Sequence, residues 1–221
     1  KSGWAVINTD SKYGKIIKDS VKTNLITYGF NKNADIYPLT YQTNTRGTKI
    51  ELNVMGEIFS ITSKIFGKYN VENIMACLGA CRAIGLKNET TRNIKLNYRV
   101  PGRIENIGLG KYDVIVDYAH SPHAFESVLK EISNIKNGDN KIFTLFGCGG
   151  DRDKYKRPKM GVIAEKYSSK LFITSDNPRS EKIDDIINDI KSGLKNQVNI
   201  QVNIDREKAL ISALSQMDNN T

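Results

Sequence analysis

Between residues 114 and 217 short apolar runs alternate four times with longer segments of helical spacing. Val114–Val116 precedes a helical pattern over 122–135, and Ile142–Phe146 precedes one over 158–167. Leu171–Thr174 is followed by 183–194, and Val198–Ile204 by 207–217. Short strands alternating with helices predict a parallel sheet covered on both faces. Val114-Ile115-Val116 is expected to be a buried strand of that sheet. In such a fold ligands bind at the carboxyl ends of the strands, so the loops after the apolar runs become the place to look for chemistry.

The first hundred residues follow a different rhythm. Runs at 4–8 and 24–28 read as strands, and 35–42, 48–53 and 57–62 read as a meander, with one short helix in this stretch. Met55-Gly56-Glu57 supplies a turn. From Val71 to Ile84 the apolar positions fall at helical spacing, and Gly85 stands where a C-cap glycine belongs. Cys77 and Cys81 are four apart on this helix: half a metal site, or small residues in a buried face. No second ligand pair accompanies them, and packing is the expectation. Residues 97–108, with Pro101-Gly102-Arg103, form a connector. The expected organisation is two domains, 1–101 and 102–221, within a chain of 221 residues.

Composition narrows the function classes. The formal charge is +9, yet the basic residues are scattered and no aromatic-basic nucleic-acid signature accompanies them, so no nucleic-acid partner is expected. No apolar run approaches the roughly 20 residues that span a bilayer, so no membrane insertion is expected. Three cysteines form neither a disulfide framework nor a zinc pattern, which fits a cytoplasmic setting.

Three loops carry dense polarity. In Asp117-Tyr118-Ala119-His120-Ser121-Pro122, Asp117 suits ribose hydroxyls and His120 a nucleotide; alternatively Asp117 or Ser121 only caps the next helix. In Gly147-Cys148-Gly149-Gly150-Asp151-Arg152-Asp153 the glycines allow close backbone approach, and Arg152 offers a planar fork for carboxylate or phosphate. Lys154, Lys156, Arg157 and Lys159 make that neighbourhood strongly positive. A flexible loop with solvated charges is the plainer alternative. Cys148 has no nearby base and is assigned to packing. In Ser175-Asp176-Asn177-Pro178-Arg179, Pro178 stiffens the turn, Asn177 bonds its own backbone or a ligand, and Arg179 is a second carboxylate grip.

These segments resemble the UDP-N-acetylmuramoyl-dipeptide ligases of the Mur ligase family (MurE). The resemblance is carried by Phe146 to Asp153, Lys156-Arg157-Pro158, Met160-Gly161 and Thr174 to Arg179. Asp117 to Pro122, Asn70-Val71-Glu72-Asn73 and Val100-Pro101-Gly102-Arg103 extend it from about Ala5 to Met217. It implies the C-terminal half of a central ATP-binding α/β domain (1–101) and a Rossmann-like, doubly wound C-terminal domain (102–221). It implies ATP and Mg2+ as cofactors of the whole enzyme, and a UDP-N-acetylmuramoyl dipeptide and a diamino acid as substrates. The chemistry would pass through an acyl phosphate in peptidoglycan synthesis, in a monomeric enzyme. Asn73, Arg103, Asp117 and His120 would lie on the nucleotide side. Arg152, Asp176, Asn177, Pro178 and Arg179 would hold the amino acid. Arg179 goes with meso-2,6-diaminopimelate, whose distal carboxylate needs a cation. A lysine-adding or other Mur ligase, a folylpolyglutamate-type ligase, or a non-catalytic ligand-binding module that kept the fold remain alternatives. No Gly-Lys-[Ser/Thr] phosphate loop, no UDP-binding domain and no carbamylated lysine are recognised in the chain, the family's Gly-Lys-Gly-His-Glu segment does not follow Met217, and Lys1 is not Met. The chain is therefore expected to be a fragment that carries no confident catalytic residue or metal ligand and is inactive alone.

Overall fold

The computed structural model describes residues 3–87, 91, 95–96, 100–108, 112–136, 138–195, 198–218 and 221, with backbone alone for 95–96. Lys1 and residues 97–99 of the expected connector lie outside the described residues. The chain divides into two compact units, Lys1–Pro101 and Gly102–Thr221.

The first unit is built on a six-stranded mixed sheet of order β1-β2-β3-β4-β5-β6. Strand β1 (Trp4–Asn8) leads through helix α1 (Lys12–Ser20) to β2 (Asn24–Tyr28), which pairs parallel to it. The Ser11 hydroxyl caps α1 by accepting from the Gly14 N–H at 3.1 Å, satisfying one of the helix's orphan donors. Strands β3 (Ile36–Asn44), β4 (Gly47–Val54) and β5 (Glu57–Ser63) form the expected antiparallel meander. Its second turn is Met55-Gly56, both at positive φ (53° and 92°), the primed geometry that suits two-residue hairpins. The two-residue β6 (Lys95–Leu96) joins β5 in parallel.

Helix α2 (Lys68–Ala83) starts three residues before the predicted Val71, directly after Gly67 at φ 99°. Its buried Val71, Ile74, Met75 and Leu78 recur at helical spacing and pack on Ile26, Ile36, Leu52, Val54 and Phe59 of the sheet. At its end Gly85 is at φ 82°, and Leu86 N–H reaches the Cys81 carbonyl at 3.0 Å, the glycine C-cap the sequence announced. Cys77 is exposed and Cys81 half-buried, so burial does not explain Cys77.

The second unit holds a three-stranded parallel sheet, β9 (Phe143–Phe146), β10 (Lys170–Ile173) and β11 (Asn199–Val202), with β10 central. Helices α3 (Pro122–Ile135), α4 (Lys156–Tyr167) and α5 (Ile183–Lys191) cover one face. Phe125, Leu129, Met160, Ala164, Ile186 and Ile190 meet Leu171 and Ile173 there. Phe172 alternates to the opposite face. There it lines a cleft of about 270 Å³ with Gln201 and with Ala209 and Ser212 of α6 (Arg206–Ser215). The unit is thus a parallel sheet wound on both sides.

One strand departs from expectation. Ile115–Val116 (β8) pairs antiparallel with Glu105–Asn106 (β7) in a separate two-stranded ladder, and Val116 is 40% exposed. Val114–Val116 is therefore not a buried strand of the parallel sheet. The partner that claims its hydrogen bonds is Glu105–Asn106 of the connector, two polar residues that give no strand signal. Among the described residues no helix is long and apolar enough to cross a membrane.

Candidate functional site

The loops after β9 and β10 leave the sheet at one level, because Phe146 and Ile173 are register partners. They are then joined backbone to backbone. Gly150 N–H donates to the Asn177 carbonyl at 2.9 Å, and the Arg179 guanidinium donates through Nη1 to the Gly150 carbonyl at 2.6 Å. The glycines are required by space: a Cβ on Gly147 would lie 2.3 Å from the Thr174 carbonyl oxygen, and one on Gly150 only 1.8 Å from that of Pro178. A Cβ on Gly149 would meet the Arg179 guanidinium at 2.9 Å and the Asp176 carboxylate at 3.9 Å, so both side chains border the glycine loop. Asn177 Oδ1 accepts from the Arg179 N–H at 3.2 Å, an Asx turn around Pro178. Asp151 and Arg179 both adopt positive φ (50° and 49°), which side-chain-bearing residues hold only when surrounding contacts enforce it. The contacts here include the Asp151 carboxylate, which accepts from Ser180 N–H at 3.0 Å and Ser180 Oγ at 2.7 Å. Those two donors hold the Asp151 carboxyl below the usual range. Arg152, the next residue, is exposed on the same loop.

The loop after β8 is a second polar centre of the same unit. Asp117 accepts the Ile104 N–H at 2.8 Å with one oxygen and the Ala119 N–H at 2.7 Å with the other. It organises the loop, and each oxygen keeps a further lone pair. Helix capping falls instead to Ser121, whose hydroxyl accepts from the Ala124 N–H at 3.3 Å, with Pro122 in the first turn. Tyr118 and His120 stand edge to face with ring centroids 5.4 Å apart, and the Arg103 guanidinium lies 5.2 Å from the Tyr118 centroid. Lys156 donates to the His120 carbonyl at 2.7 Å. Arg103, Asp117 and His120 are therefore neighbours, which their spacing in sequence alone does not require. Asn73 belongs to the first unit, exposed on α2, where it donates to the Asn70 side chain at 3.2 Å.

Residues 102–221 match the family described as Mur ligase, glutamate ligase domain, over more than half of the chain. The chain belongs to the Mur ligase family. Residues 1–81 match the Mur ligase middle domain. Among curated relatives, the Clostridium acetobutylicum protein named UDP-N-acetylmuramoyl-L-alanyl-D-glutamate--2,6-diaminopimelate ligase 1 is 39% identical over 215 residues. That match covers 95% of this chain and 44% of the relative. A solved structure of a UDP-N-acetylmuramoyl-L-alanyl-D-glutamate--2,6-diaminopimelate ligase superimposes with a TM-score of 0.64 at 30% identity, over 99% of this chain and 46% of that one. A MurF ligase of Thermotoga maritima, solved in complex with ADP, shares the fold at 18% identity and a TM-score of 0.59, over 97% of this chain and 53% of that one. This Mur ligase chain spans less than half the length of the curated relatives it matches.

The Mur ligase chain also contains what its sequence concealed. Arg157 is fully buried: Nη1 donates to Glu181 at 2.9 Å and Asp189 at 2.8 Å, and Nη2 to Glu181 at 2.8 Å and to the Gly149 carbonyl at 3.2 Å. Glu181 also accepts the Asp151 N–H at 2.6 Å and pairs with Lys154 at 3.0 Å. The Arg157 guanidinium, with these further donors, holds the Glu181 carboxyl down at about 2. The 154–159 segment is therefore not the uniform positive field its composition suggests, because Arg157 and Lys154 are matched by acids from the loop and helix that follow β10. Cys148 is buried, its thiol 3.9 Å from Met160 Sδ, and burial pushes it up to about 11. A thiol so raised is neutral at pH 7, in keeping with packing rather than nucleophilic chemistry.

Proposed function

We propose that the joined loops after β9 and β10 hold an amino acid with a distal carboxylate. In this reading Arg152, Asp176, Asn177, Pro178 and Arg179 form the receptor. The observation that carries it is the Gly150–Asn177 and Gly150–Arg179 bonding, which sets two arginine-bearing loops side by side at the sheet's carboxyl edge. A guanidinium and a carboxylate complement the carboxylate and ammonium of an amino acid, and the second arginine suits a second carboxylate. The favoured ligand is meso-2,6-diaminopimelate. The reaction is its ATP-dependent addition to UDP-N-acetylmuramoyl-L-alanyl-D-glutamate through an acyl phosphate, in cytoplasmic peptidoglycan synthesis, by a monomeric enzyme of which this chain is a part. Residues 1–101 would be the second half of the central ATP-binding domain and 102–221 the C-terminal domain.

For the nucleotide, Arg103, Asp117 and His120 offer a cation, free carboxylate lone pairs and exposed rings, a set that suits a base and ribose. Asn73, on the first unit, is assigned to nucleotide binding on the family resemblance. Bound ATP supplies the phosphoryl group that activates a carboxylate. This chain carries no Gly-Lys-[Ser/Thr] loop for its phosphates. Among the described residues no three His, Cys, Asp or Glu side chains are placed to hold a metal. In this reading Mg2+ arrives with the nucleotide, held mainly by its phosphates and by water.

The test is a titration of the 221-residue chain with meso-diaminopimelate, L-lysine and L-glutamate, followed by amide NMR shifts. Diaminopimelate is expected to move Gly149, Gly150 and Asn177 and to bind most tightly. Arg179→Ala should weaken it by about 2 kcal/mol, roughly thirtyfold. Equal binding of lysine, or no effect of the substitution, would contradict the assignment.

A further inference from the structure

We propose that Arg157 is a positioning residue, a latch that sets the spacing of the two arginine-bearing loops. This deepens the amino-acid reading and rests on it for the ligand, though not for the latch itself. Arg157 sits on α4, away from the loop tips, and its side chain is fully buried. Its fork reaches the glycine loop directly, through the Gly149 carbonyl at 3.2 Å. It reaches the following loop through both oxygens of Glu181, two residues beyond Arg179. Glu181 returns the connection by accepting the Asp151 N–H at 2.6 Å, beside Arg152. The third arm, to Asp189 on α5, ties the fork to the helix that packs on α4.

The geometry needs an arginine. Two nitrogens in one plane address four oxygens on three segments, whereas an ammonium is a single point with no fixed fork. The positive φ at Asp151 and at Arg179 lies on either side of the latch, and the fork organises one of the contacts there, the Asp151 N–H to Glu181. Nη1 and Nη2 are fully engaged, and each Glu181 oxygen already meets two donors. Arg157 thus acts through Gly149, Asp151 and Glu181 and does not touch the amino acid.

Hydrogen exchange and ligand titration of the full 221-residue chain test the latch with Arg157→Lys and Glu181→Gln. Arg157→Lys is expected to speed amide exchange at Gly150 and Asp151 at least tenfold while Leu171 to Ile173 stay protected. It should also cut the preference for diaminopimelate over lysine at least tenfold, a ratio that general loss of stability would leave alone. If Arg157→Lys unfolds the chain, Glu181→Gln decides, since that side chain is 11% exposed and keeps an acceptor for Asp151. Native exchange and native selectivity in the variant that folds would overturn the latch. Faster loop exchange in a chain whose wild type binds no diaminopimelate would support the latch and overturn the amino-acid reading instead.

Discussion

Glu181 is the residue through which acid should act on this molecule. Its carboxyl titrates near 2 in the folded chain against an ordinary value of 4.5, because Arg157, the Asp151 N–H and Lys154 all favour the charged form. A depressed folded value contributes stability that is complete above about 4.5 and is lost as the pH falls towards 2. Denaturant midpoints measured across that window should fall more steeply for the wild type than for Glu181→Gln, and equal slopes would remove Glu181 from the account. Nothing in the local sequence marks this cluster. Arg157 sits in a run of cations, and its partners lie 24 and 32 residues downstream. Helical geometry turns one cation of the run inward, and only the packing of α4 against α5 reveals which.

At the scale of elements, local rules were enough wherever they agreed with burial. Val71 to Leu78, Gly85 and Met55-Gly56 behave as spacing and turn chemistry require, and the β9–β11 alternation with helices is plain in the chain. The short ladder of β7 and β8 was not legible, since two-residue strands carry no period and the polar connector supplies the partner. The glycine loop lies between these cases. Its composition announced close approach but not the neighbour, which is the backbone of the loop after β10. Gly150→Ala tests that reading, because the new Cβ would fall 1.8 Å from the Pro178 carbonyl oxygen. The loops should part by about an ångström, with diaminopimelate binding down roughly a hundredfold and far-ultraviolet dichroism unchanged. Unaltered binding would mean that the spacing of the loops is immaterial.

For the whole molecule, the two compact units have separate cores, one centred on Leu52, Phe59 and Met75 and the other on Leu171, Ile173 and Ile190. Residues 102–221 expressed alone should fold cooperatively and keep the acid sensitivity assigned to Glu181, as followed by dichroism against pH. A disordered product would show that the second core depends on the first. The left-handed backbone at Arg179 sets two engineering aims against each other. An L-residue there is about 1–2 kcal/mol worse than glycine, and asparagine tolerates the conformation better than arginine does. Variants gathered for heat tolerance would drift at 179 towards glycine or asparagine, while variants gathered for ligand capture would hold the arginine. Position 179 is where sturdiness and recognition select different residues.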